Sequence, residues 1–167
     1  MQIVHEQAFF NLTRNTIVVI VSALLLTSIL FAAPLHAAEE ELKFPGEDPS
    51  NKIIYHFNKA GDEYTLAVLN TVRNMLRKYG DDIKIVVSVM GPGIHLLLKE
   101  PGKPVGKAAR DQAESLAFYG VEFHACGNTL KALNKTDKDV VDYASVVEVG
   151  VSDLLEHQQK GYAYISW

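Results

Sequence analysis

Apolar residues change their spacing several times along this chain, and each change marks an element. Lys52 to Phe57 (KIIYHF) is short and mostly apolar, and reads as a strand. Asn58 to Asp62 follows as a polar loop, with Asp62 placed to cap a helix. From Glu63 to Tyr79, residues Leu66, Leu69, Val72, Met75, Leu76 and Tyr79 recur at helical spacing, and Gly80 ends the run. Ile83 to Met90 is almost continuously apolar and β-branched, the pattern of a strand covered on both faces. Gly91-Pro92-Gly93 breaks it sharply, and a short apolar run, Ile94 to Leu98, comes next.

The alternation continues to the C-terminus. Glu100 to Gly106 carries Pro101, Gly102, Pro104 and Gly106, and is expected to form an exposed, mobile lid or contact loop. Lys107 to Tyr119 is helical, with Ala109, Ala113, Leu116 and Ala117 inward and Gly120 as its stop. Val121 to Ala125 is a third strand, and Asn128 to Leu133 a short helix. Asp137 to Tyr143 offers a turn, Val146 to Val149 a fourth strand, and Ser152 a cap for a helix reaching Lys160. Tyr162 to Ile165 closes the chain as a fifth strand. Alternating strands and helices imply an α/β fold with a five-stranded, mostly parallel sheet and right-handed crossovers.

The N-terminus has a different pattern. A polar lead containing Arg14 precedes an apolar run from Ile17 to Ala33, and Pro34 to Ala38 supplies small residues before Glu39-Glu40-Glu41. This is the order of a secretory signal, with cleavage expected after Ala37. An uncleaved anchor is the rival, because the run is at the lower limit for crossing a bilayer. Either version places the body outside the cytoplasm, periplasmic or otherwise exported, and allows membrane contact only through an uncleaved leader. Residues 1–37 are thus expected to be the leader, 38–51 a flexible lead-in with two prolines, and 52–167 one α/β domain.

Charge and cysteine usage narrow the chemistry. The formal net charge of −4 and the lack of a basic stripe argue against nucleic acid as a partner. The chain has one cysteine, Cys126, so no intrachain disulfide can form, and an unpaired thiol in an exported protein invites a reactive or intermolecular role. An inert, partly buried thiol is the alternative.

Position favours the reactive reading. In an open parallel sheet, ligands bind outside the carboxyl ends of the strands. The loops leaving that edge carry His56, Asn58 and Asp62; then Gly91, Gly93 and His95; then His124, Cys126, Gly127 and Asn128. Asn58, Gly91, Gly93, His95, Gly127 and Asn128 are therefore expected to line a ligand site around Cys126. A thiol beside a helix start meets backbone N–H groups that favour thiolate. His124 lies two residues earlier on the same strand face and is expected in a supporting role, with a space-filling role as the alternative. His56, His95, His124 and Cys126 could together offer metal donors, yet none forms a tight ligand motif, so no metal is expected. No G-x-G-x-x-G cradle and no G-x-S-x-G elbow occurs, and no cofactor is expected.

The segment Gly120-Val121-Glu122-Phe123 followed by Cys126-Gly127-Asn128-Thr129-Leu130 resembles the DsrE/DsrF-like family. The Gly91-Pro92-Gly93 turn and the closing Gly161-Tyr162-Ala163-Tyr164-Ile165 are similar to that family too, and the likeness spans Lys52 to Trp167. The resemblance implies a three-layer α/β/α fold and assembly into homotrimers or homohexamers. In its sulfur-relay members a cysteine in the corresponding loop takes up sulfur as a persulfide and passes it on, which here implies Cys126. The partners implied are sulfur donor and acceptor proteins or small sulfane-sulfur compounds. The best-known relay proteins are cytoplasmic, whereas this chain carries an export leader. The expected function is therefore an exported, sulfurtransferase-like persulfide carrier. The alternative is a non-catalytic oligomeric module that binds a small ligand or partner and uses Cys126 structurally.

Overall fold

The computed structural model describes residues 48–167. The expected leader over 1–37 and most of the lead-in lie outside the described residues. Five strands form one sheet: β1 (Asn51–Phe57), β2 (Ile83–Val89), β3 (Glu122–Cys126), β4 (Ala144–Val147) and β5 (Ala163–Ser166). Their order is β4-β3-β2-β1-β5, and every pairing is parallel. The helices between them are α1 (Asp62–Tyr79), α2 (Lys107–Phe118), α3 (Gly127–Ala132) and α4 (Gly150–Gln159). A 3₁₀ stretch, Gly91–Leu97, takes up the short apolar run after β2.

Strand order explains the layers. From β1 to β4 the sheet grows in one direction, and the connection from β4 to β5 returns across it to the far side of β1. Crossovers of one hand then put α1, α2 and α3 on one face and α4 on the other. Burial agrees with this. Ile53, Tyr55, Phe57, Ile85, Val87, Val89, Phe123 and Ala125 pack with Val68, Leu69, Val72, Ala109, Ala113 and Leu130 in the main core. The apolar cluster on the opposite face is small, with Ile54 and Val86 packed against Leu154 of α4. The molecule is thus the expected three-layer α/β/α sandwich, with one layer a single helix.

Thin cover on that second face lets polar residues sit in the sheet. Register places Ser166, His56, Ser88, His124 and Ser145 in one row across all five strands, on the α4 side. Ser88 is fully buried, and His56 and His124 are half-buried.

Several boundaries moved from their sequence expectation for local reasons. Gly61, at φ 116, is the residue before α1, and Asp62 is its first helical residue rather than its cap. The Asp62 carboxylate instead accepts the Gly106 N–H at 2.8 Å. Strand β4 ends at Val147, two residues early, because the next two carbonyls serve helices: Asn128 N–H donates to Glu148 O and Asp153 N–H to Val149 O. With Val149 accepting that bond, α4 starts at Gly150, and Ser152 lies inside its first turn.

The loop from Glu100 to Gly106 is exposed as expected, but it is tethered twice. Gly106 is bound to Asp62, and the Gly102 N–H donates to His95 Nδ1 at 3.2 Å. His95 is buried. Accepting at Nδ1 requires the neutral ring with its proton on Nε2. Burial, then the nearby Lys103 charge, hold the His95 pKa below its ordinary value. Neutral His95 therefore contributes stability above the ordinary histidine pKa of about 6.5, and that contribution is lost as pH falls toward the lower folded-state value. Hydrogen exchange should show the Gly102 amide protected at neutral pH and progressively released below about pH 6.5. His95→Asn, which keeps an acceptor that does not titrate, should flatten that profile; pH-independent protection in the parent protein would rule the tether out as a titrating contact.

Candidate functional site around Cys126

Cys126 is the last residue of β3 and the residue before α3, with φ −70 and ψ 114. The turn carrying it is held from three directions. Gly127 approaches the end of β4 so closely that a Cβ there would lie 3.0 Å from Val147 O and 3.1 Å from Glu148 O. The first residue of α4, Gly150, donates its N–H to Cys126 Sγ at 3.3 Å. A Cβ on Gly150 would stand 3.0 Å from Cys126 Cβ and 2.8 Å from Met90 Cε, so glycine gives the closest approach without displacing either neighbour. Thr129 then links two loops, its Oγ1 accepting the Gly91 N–H at 3.1 Å.

These contacts decide the state of the sulfur. Burial pushes the Cys126 thiol up. The Thr129 hydroxyl, the Gly150 N–H that bonds the sulfur, and the nearby Thr129 and Asn128 N–H groups outweigh it, and the net shift is downward. Donors from two helix starts converge on one sulfur, which favours the thiolate. Cys126 is largely buried, 6% exposed as a whole residue. A cavity of about 310 Å³ opens beside the β4–α4 connection, lined by Val147, Glu148, Val149, Ser152, Asp153 and Glu156. Val147 pairs with Cys126 in the sheet, which puts this cavity at the same edge. A larger cavity of about 680 Å³ lies between α1 and α2 and includes none of the residues expected in the site.

The other residues expected near Cys126 divide into groups. Asn128 contributes its backbone N–H to the sulfur's surroundings while its side chain is exposed. Gly91, at φ 51, reaches the sulfur only through Thr129. Gly93 is a packing glycine, for a Cβ there would lie 2.6 Å from the Phe57 ring. Asn58 follows β1, its N–H pointing at the Tyr64 hydroxyl at 3.4 Å, and its Oδ1 is buried with no hydrogen-bond partner among the described residues. His95 tethers the 100–106 loop. His56 bonds through Nδ1 to the Tyr164 hydroxyl at 2.9 Å, and burial lowers its pKa.

His124 shares the face of Cys126 as expected, but its hydrogen bonds go to α4. Its Nδ1 lies 3.0 and 3.1 Å from the two carboxylate oxygens of Asp153. Burial pushes the Asp153 carboxyl up, and contacts with His124 and Ser88, together with the charges of His124 and His157, bring it below its ordinary value. His124 thus anchors the helix whose first N–H meets the sulfur. Sequence reasoning missed Thr129, Gly150 and Asp153. Thr129 was visible within Cys-Gly-Asn-Thr-Leu, but nothing in the linear order brings residue 150 to residue 126.

Comparison with known proteins agrees with this architecture. The model of the DsrE/DsrF-like family matches residues 43–167. The chain belongs to the DsrE/DsrF-like family. That family is generally related to sulfur relay. Among solved structures, protein MTH1491 of Methanobacterium thermoautotrophicum, described as a protein of unknown function, is similar at 25% identity and TM-score 0.63. The YchN protein of E. coli is similar at 14% identity and TM-score 0.56. Each match covers 70% of this chain and 99% of the other. No curated protein matches the chain in sequence.

Thr129→Val keeps the shape of the side chain while removing the hydroxyl shared by Cys126 and Gly91. Thiolate absorbance during a pH titration should show the Cys126 transition moved to higher pH. Unfolding should show a loss of about 1–2 kcal/mol, because the Gly91 N–H loses its acceptor. An unmoved titration would mean the hydroxyl does not act on the sulfur.

Proposed function

We propose that this DsrE/DsrF-like protein is an exported sulfur carrier in which Cys126 holds sulfur as a persulfide. The observation that carries the reading is the convergence of the Gly150, Asn128 and Thr129 donors on a thiol whose pKa they lower. A nucleophilic sulfur for thiol–disulfide-type exchange must be ionised, and this one is biased that way. In the loading step, the Cys126 thiolate attacks the outer sulfur of a persulfide or polysulfide donor. A new S–S bond forms, the donor's S–S bond breaks, and the donor leaves as a thiolate. Delivery reverses this: an acceptor thiolate takes the outer sulfur and Cys126 leaves as thiolate, with no net oxidation. The charge then borne by the outer sulfur remains near the same N–H donors.

Export rests on the apolar run from Ile17 to Ala33, with Arg14 before it and Glu39-Glu40-Glu41 after it. Among the described residues no helix is long and apolar enough to cross a membrane. Self-association as a homotrimer or homohexamer is part of the proposal. It is supported by exposed apolar side chains on the domain, including Phe118 and Tyr119 at the end of α2 and Val151 and Leu155 one turn apart on α4.

The low exposure of Cys126 favours a second reading, a non-catalytic binding module with a structural cysteine. Intact mass spectrometry after incubation with inorganic polysulfide separates the two. The carrier reading expects a gain of one sulfur atom, removable by a thiol acceptor and absent in Cys126→Ser. A folded protein that gains no sulfur from polysulfide, or gains it equally in Cys126→Ser, supports the structural reading instead.

A further inference from the structure

Beyond the sulfur, the second face of the sheet carries a cluster that the carrier function does not use. Asp153 and His157 are four residues apart and therefore neighbours on one side of α4. That side faces the polar row of the sheet, where His124 projects from β3. The Nδ1 atoms of both histidines lie near the same carboxylate oxygen, His124 at 3.0 Å and His157 at 3.1 Å from Asp153 Oδ1, and His157 Nδ1 also lies 2.8 Å from the Asp153 main-chain carbonyl. One donor atom from each of the three residues lies within 4.8 Å of the others. The Asp153 side chain is 5% exposed, and each imidazole 12%.

We propose that His124, Asp153 and His157 form a binding site for a first-row divalent cation of the zinc type. Two imidazole nitrogens and one carboxylate oxygen are a donor set suited to such ions, leaving a fourth position for water. Zinc–nitrogen bonds of about 2.0–2.1 Å and zinc–oxygen bonds of about 2.0–2.2 Å put tetrahedral donors about 3.4 Å apart. To admit an ion, the contacts of 3.0 and 3.1 Å would open toward that spacing and His157 Nδ1 would exchange its contact with the Asp153 main-chain carbonyl for the ion.

Two further features fit a metal better than a purely structural ion pair. Coordination through His124 Nδ1 leaves its proton on Nε2, and Nε2 faces the Glu122 carboxylate at 3.6 Å. A carboxylate on that side favours the tautomer with its proton on Nε2, which leaves Nδ1 free for an ion. Ser88, fully buried in the same row, has an Oγ with no partner in hydrogen-bonding geometry among the described residues, although it lies close enough to Asp153 to influence that carboxyl. A hydroxyl buried without a partner is costly, and metal-bound water would satisfy it.

This departs from the expectation drawn from the sequence, which weighed His56, His95, His124 and Cys126 as donors and found no motif. Of those four only His124 belongs to the cluster. Cys126 lies two residues further along β3, about 6.6 Å at strand spacing, and is directed to Gly150. An ion here would join β3 to α4 independently of persulfide chemistry.

The test is a calorimetric titration of untagged, chelator-treated protein with Zn²⁺. The proposal expects one ion per chain and a higher melting temperature on binding. It expects Cys126→Ala to leave the affinity unchanged and His157→Gln to weaken it about 100-fold or more, at least the effect of losing an outer-shell partner. Should circular dichroism show His157→Gln unfolded, the near-isosteric Asp153→Asn decides, with the same loss of affinity expected. No saturable binding, binding unchanged in the folded variant, or binding abolished by Cys126→Ala would each overturn the site.

Discussion

The first turn of α4 holds both the sulfur and the histidine of β3 in place. Gly150 presents its N–H to Cys126 Sγ, and three residues later Asp153 bonds His124 on the same strand. One turn of helix thus fixes the sulfur and the histidine together. The arrangement exists because the chain reverses direction between β4 and β5, which sends α4 alone across the second face of the sheet. A side chain at residue 150 would crowd Cys126 Cβ and the end of Met90, at the point where the helix N–H meets the sulfur.

Two opposing effects act on Cys126, and their balance gives the thiol its character. Low exposure alone would leave an inert, protonated sulfur. Donor groups of Thr129, Gly150 and Asn128 reverse the direction of the shift. The same burial that hinders access also protects an ionised sulfur from overoxidation. Membership of the DsrE/DsrF-like family is consistent with chemistry at this position, and the geometry supplies a physical reason why the thiol there is not an ordinary one.

The asymmetry of the two sheet faces explains where polar groups are tolerated. Three helices cover the face bearing Ile53, Tyr55, Phe57 and Phe123, and these side chains pack into one apolar core. A single helix covers the other face, so the row containing His56, Ser88 and His124 is only partly sealed. Asp153, buried against that row, is stabilised as a carboxylate by the groups around it. A polar row in a central sheet costs stability unless its partners are supplied, and α4 supplies them for His124.

Residue spacing alone determined the order of strands and helices, because burial on one side or both imposes a period that survives without any partner in view. The run from Ile83 to Met90 has the pattern of a strand covered on both faces, and the spacing from Leu66 to Tyr79 that of a helix. The position of Cys126 at the mouth of a turn was legible for the same reason. Tertiary structure decided what surrounds that turn. Gly150, Asp153 and His157 come from a helix some thirty positions later in the chain, and their meeting with Cys126 and His124 depends on strand order and crossover hand, which leave no periodic trace. Hydrogen bonds such as Gly150 to Cys126 or Gly102 to His95 join residues whose separation carries no local signal, so only the folded chain reveals which donors a side chain meets.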